Sequence, residues 1–181
     1  MASEELRFIP FREQDNRLVP LVALLAITLL GLWIVFGVIY NASVVDGISM
    51  MNTLHSGDRL LITRTYSEPT RGDIVSAEVI VKGRPDRVLK RVAAIAGDTV
   101  EVQGDDVWVN GDPATWPGVI TGSFDDFHLG PFVIPEGQVY LLGDNRPESL
   151  DSRFIGPVSV SQIRGKAVAI FTPVTRIQRI D

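Results

Sequence analysis

The chain has 181 residues, 45% of them hydrophobic, which is enough for one ordinary domain and an additional apolar segment. It contains no cysteine, which excludes a disulfide framework and a thiolate nucleophile. A net charge of −5 without any long Lys/Arg run offers no basic field for nucleic acid and argues against that class of partner.

From Leu18 to Tyr40 the sequence carries no charged side chain and a single proline near its start. At about 1.5 Å per residue a helix over this run is roughly 35 Å long, against a hydrocarbon core of about 30 Å. The run exceeds the apolar core of a cleavable signal peptide, about 7–15 residues, and Asn41-Ala42-Ser43 matches a small-x-small cleavage site poorly. It therefore reads as a single retained transmembrane anchor in the lipid bilayer. Arg7, Arg12 and Arg17 precede it, and no Lys or Arg follows until Arg59. The positive-inside rule then predicts a cytoplasmic tail over 1–17, an anchor over 18–40 and an extracytoplasmic domain over 41–181.

Beyond a juxtamembrane segment at 41–47, the chain reads as mostly β. Arg59–Thr63 and Asp73–Val81 are predicted strands, Lys82–Pro85 a turn, and Val88–Ile95 a further apolar strand. Thr99–Val102 and Val107–Val109 alternate, and Asn110-Gly111 is a strong hairpin signal. Residues 112–136, rich in Pro, Gly and aromatics, suggest a small subdomain or an elaborated loop. Gln138–Leu142 and Gly165–Phe171 read as buried strands.

Two histidines are available for chemistry. His55 lies in a polar turn context beside Ser56-Gly57, and His128 follows Phe124-Asp125-Asp126-Phe127 at no recognised metal-ligand spacing. Both read as solvated turn or loop residues. A serine hydrolase without a usable histidine needs a neutral lysine, with its pKa brought from about 10.4 to about 7–8 by burial. Of the three lysines, Lys82 sits at a turn and Lys166 at a strand start, where both are expected to be exposed. Lys90 lies within an apolar strand, Val88-Leu89-Lys90-Arg91-Val92. It is the best candidate base on physical grounds, although a strand lysine more often faces solvent.

Four segments then resemble, in order, the boxes of type I signal peptidases. They are Ser49-Met50-Met51-Asn52-Thr53-Leu54, Arg71-Gly72-Asp73-Ile74-Val75, Lys90-Arg91-Val92 with Ala96-Gly97-Asp98, and Gly143-Asp144-Asn145-Arg146 with Ser149, Asp151-Ser152-Arg153 and Gly156. The resemblance implies a signal-peptidase-type β catalytic domain behind one N-terminal transmembrane helix. It implies an endopeptidase that cleaves signal peptides from exported preproteins after small residues, typically alanine, at the first and third positions before the cut, with neither cofactor nor metal. It also implies Ser49 as nucleophile, its N–H contributing to the oxyanion site, and Lys90 as general base. Ser149 would hydrogen-bond and orient Lys90, Asp151 and Arg153 would form a supporting ion pair, and Met50 would wall the substrate.

The chain departs from the pattern at Asn52 and Ala96, where the family usually has proline. Gly47 lacks the hydroxyl with which some relatives supply a second oxyanion donor. Two other readings remain open: a specialised relative that processes one secretion or conjugation substrate, and an inactive anchored β-domain that binds peptides.

Overall fold

The structure is a computed structural model that describes residues 18–66, 68–81, 83–122 and 127–180. Arg7, Arg12, Arg17, Lys82 and the Phe124-Asp125-Asp126 segment lie outside these. The described residues divide into two compact units, one up to residue 36 and one from residue 37 onward. Helix α1 (Leu18–Ile39) is apolar all round and has no charged residue in its first or last turn. Such a helix has no solvent face to offer, and by length and composition it can cross a membrane. Tyr40, the last residue of the expected span, instead opens a strand.

The second unit is built from two antiparallel sheets. The strands are β1 (Tyr40–Val44), β2 (Arg59–Thr63), β3 (Ile74–Val81), β4 (Arg84–Ile95), β5 (Thr99–Gln103) and β6 (Asp106–Val109), then β7 (Asp112–Pro113), β8 (His128–Val133), β9 (Gln138–Leu142), β10 (Val158–Ser159), β11 (Ile163–Thr172) and β12 (Gln178–Arg179). A short helix, α2 (Ser152–Ile155), follows β9. The larger sheet runs β1-β2-β11-β3-β4-β9-β10, with β12 on β11, and the smaller runs β7-β6-β5-β8.

β9 shows why its sequence reads as an unbroken apolar run. Successive side chains point to opposite faces of a strand. Val139 and Leu141 join one core, with Val75, Ala77 and Val92, while Tyr140 and Leu142 join another, with Val100, Val102 and Val109. The second core seals the small sheet onto β4 and β9. A third core, around Leu54, Leu60, Ile62, Ile74 and Ile170, lies under the segment that carries Ser49.

Several expectations shift. The juxtamembrane segment is largely β1, paired residue for residue with β2 from Tyr40–Thr63 to Val44–Arg59. The turn predicted over Lys82–Pro85 is shorter, because Arg84 and Pro85 already pair with Val81 and Ile80. Proline is tolerated there because β9 pairs with β4 only from Arg91 onward, so the first half of β4 has one free edge. Residues 112–136 supply β7 and β8 to the small sheet and an Ile120–Asn145 bridge, with 123–126 outside the described residues. Mostly exposed side chains and the Gly130-Pro131 interruption hid β8 from the pattern. His128 stands exposed on that strand rather than in a loop.

Candidate active site

Ser49 lies in the turn between β1 and β2, and each end of that turn is tied down. Met51 N–H donates to the Ile48 carbonyl at 3.1 Å and Leu54 N–H to the Met50 carbonyl at 2.8 Å, closing a compact loop. The 143–145 segment then grips it from outside. Asn145 donates its backbone N–H to the Ser49 carbonyl at 3.0 Å and its side-chain amide to the Ile48 carbonyl at 3.1 Å. Thr53 donates its hydroxyl to Asp144 at 2.5 Å. Gly143 permits this closeness, because a Cβ there would lie 2.6 Å from the Ser49 carbonyl and 2.2 Å from Ser149 Oγ.

Lys90 and Arg91 are neighbours on β4 with different tasks. Lys90 is 5% exposed, and its Nζ donates to Ser49 Oγ at 2.8 Å. Burial holds the amine below the ordinary lysine value. The carboxylates of Asp151, Asp86 and Asp144 oppose that depression, and Arg153 adds to it. Arg91 forks onto Asp144 with Nε and Nη2 at 2.8 and 2.6 Å, gives Nη1 to the Gly72 carbonyl at 2.7 Å, and stacks over Trp116. The residue beside Lys90 thus clamps the residue that holds the Ser49 loop, so hydroxyl and amine share one scaffold.

Asp151 and Arg153 meet as an ion pair at 2.9 Å, and Asp151 also caps α2 and accepts from Gly143 N–H at 2.9 Å. Arg153 reaches on to Asp105 at 2.6 Å and to the carbonyls of Arg146 and Ser149. Ser149 departs from its expected geometry. Its Oγ is buried against Gly143 and has no hydrogen-bond partner among the described residues, while the Lys90 amine bonds Ser49.

An open cleft of about 430 Å³ borders Ser49 and Lys90, lined by Ser43–Gly47 on one side, by Asp86–Leu89 on the other, and by Met50, Ser76 and Leu150. Met50 lines this cleft while also lying in the core beneath it. Gly47 has φ +93°, a conformation that disfavours any residue with a Cβ, so a serine hydroxyl does not fit this backbone. His55 is half-buried in the turn before β2, its N–H bonded to Asp58. Lys166, expected to be exposed, is ion-paired with Asp73 at 2.5 Å and only 28% exposed.

Residues 18–172 match the family model for signal peptidase, peptidase S26. The chain belongs to that family. Signal peptidase I of Bacillus licheniformis is 33% identical over 162 residues, 79% of this chain and 82% of that protein. Signal peptidase I of Leptolyngbya laminosa is 36% identical over 138 residues, 71% and 67% of the two chains. A crystal structure of a signal peptidase I from Enterococcus faecalis V583 aligns over 55% of this chain and 96% of that one, at 27% identity and a TM-score of 0.45. As a signal peptidase the protein is a serine protease whose substrates are the signal peptides of preproteins, and its apolar N-terminal helix fits membrane anchoring.

The residue types alone did not single out Asp144, Asn145, Arg91 or Thr53, although all four sit inside the boxes. Asp105 carried no signal at all, being one acidic residue in the ordinary turn Gly104-Asp105-Asp106. Its weight in the peptidase is measurable. Removing one partner of a buried pair costs about 3–5 kcal/mol, whereas an exposed pair is worth about 0–1 kcal/mol. Asp105→Ala is therefore expected to lower unfolding free energy several-fold more than Glu78→Ala, which breaks the exposed contacts to Arg87 and Arg164; equal urea midpoints would contradict this. Lys90 gives a second expectation. Because its folded value is depressed, the unfolded chain binds more protons between that value and about 10.4, so stability rises with pH across this window. Lys90→Met should remove that slope and raise the melting temperature at neutral pH; a variant that melts lower, with the slope intact, would show that the amine is not penalised by burial.

Proposed function

We propose that Ser49 is the nucleophile and Lys90 the general base of signal-peptide cleavage. The observation that carries this reading is the 2.8 Å contact between Lys90 Nζ and Ser49 Oγ, with the amine withdrawn from water. A neutral amine takes the Ser49 proton as Oγ attacks the scissile carbonyl carbon. The Ser49 N–H stabilises the developing oxyanion. The Lys90 ammonium then protonates the leaving amine as the peptide bond breaks, leaving the signal peptide esterified to Ser49. Lys90 next draws a proton from water as the water oxygen adds to the ester carbon, then returns that proton to Ser49 Oγ as the ester bond breaks and frees the peptide. Ser149, whose hydroxyl has no partner among the described residues, is available to orient the amine during these transfers, and Asp151 with Arg153 holds the turn that carries it.

The free edge of β4 over Arg84–Lys90 and the 43–47 segment flank the cleft, so an extended substrate can bind there as an added strand. On the positive-inside reading the catalytic domain lies outside, and its anchor tethers it to the membrane that an exported preprotein crosses. A synthetic preprotein carrying alanine at the first and third positions before the cut tests the assignment. Wild type should cleave it, and Ser49→Ala and Lys90→Ala should each lose at least about 10³-fold in kcat at unchanged fold. Either variant cutting at the wild-type rate would overturn the dyad.

A further inference from the structure

The cleft wall contains a polar group that the dyad does not use. Among its buried lining residues Val45 and Met50 are apolar, and Lys90 is engaged with Ser49. Ser76 on β3 is the exception. It is 5% exposed, lines the cleft, and its hydroxyl has no hydrogen-bond partner among the described residues. Its position is set by register: Ser76 lies opposite Leu89 and its neighbour Val75 opposite Lys90. Side chains directly opposite on paired strands share one face of the sheet and stand about 5 Å apart, so Ser76 stands with Leu89 in the cleft wall, while Lys90, the next residue along, leaves β4 from the other face.

Among the described residues only Tyr140 and Ser149 bury an unpaired side-chain oxygen completely, so the Ser76 hydroxyl still meets water in the open cleft. A substrate that covers it strips that water, and a side chain that supplies a partner then complements the cleft better than a methyl group. A wall made only of apolar groups selects by size and cannot tell alanine from serine strongly, whereas a polar group placed to bond a substrate hydroxyl can. We propose that Ser76 is a specificity-determining residue that hydrogen-bonds a small hydroxylated side chain, serine or threonine, at one of the two small positions before the cut. This inference rests on the reading that the cleft beside Ser49 and Lys90 binds the substrate. The hydroxyl can both donate and accept, so either rotamer of a substrate serine satisfies it. No charge is exchanged, and the effect is expected in KM and kcat/KM rather than in the protonation of Lys90.

The full-length protein in detergent micelles is assayed on matched synthetic preproteins with alanine or serine at the first or at the third position. The quantity read is the ratio of kcat/KM for serine over alanine at each position, which cancels any general loss of activity. Ser76→Ala should lower that ratio about three- to tenfold at one position, the value of one neutral hydrogen bond. Ser76→Thr and Ser76→Val, equal in shape and differing in the hydroxyl, should differ in the same direction, with Thr retaining the preference. Ratios unaffected by Ser76→Ala and equal for the Thr and Val variants would overturn the proposal. So would an unchanged ratio with a displaced pH–rate profile, which would put the hydroxyl on Lys90 instead. The alanine substrate separates the two levels: if wild type fails to cut it, the dyad assignment is at fault rather than Ser76.

Discussion

A lysine amine kept out of water beside a serine hydroxyl is the constraint from which the rest of this structure follows. Desolvation disfavours the ammonium, but any carboxylate brought near restores it. Three carboxylates act on Lys90 in that restoring direction, those of Asp151, Asp86 and Asp144. The fold limits their effect by giving two of them other partners. Asp144 is forked by Arg91 and Asp151 is paired with Arg153, both at hydrogen-bond distance and both buried. The arginines thus supply the charge balance that would otherwise fall to Lys90.

Such pairs are poor devices for stability. Burying two charges costs several kcal/mol per ion before their attraction is counted, and apolar replacements are often no less stable. What the Arg91–Asp144 pair provides is geometry. Arg91 follows Lys90 on β4, and Asp144 binds Thr53 four residues after Ser49, so one ion pair fixes both halves of the site relative to each other. Asn145 then fixes the Ser49 backbone directly. Three apolar cores hold the strands that carry these groups, and the small sheet contributes Asp105, which anchors Arg153 from the far side.

Much of this was legible in the sequence because it depends on local patterns. The bounds of β2 and β9 and the Asn110-Gly111 hairpin follow from alternation and turn chemistry, and Asn110 and Gly111 do take positive φ, 54° and 87°. Lys90 could be ranked above Lys82 by its apolar flanks. The partial burial of Lys166 was not legible, because its partner Asp73 lies just ahead of β3, far away in the sequence. Asp105 was invisible for the same reason: 48 residues separate it from Arg153. Ser149 was singled out only by its box, and the way its hydroxyl points depends on the Gly143 contact, which is not local in the sequence pattern.

The central claim is that Lys90 is neutral at working pH, and only three lysines need to be distinguished to test it. Side-chain NMR of protein with isotope-labelled lysine, assigned with Lys82→Arg and Lys166→Arg, follows each amine through its titration. The account predicts one resonance titrating well below about 10.4 and absent from Lys90→Met. Three resonances that all titrate at or above the ordinary lysine value would contradict it.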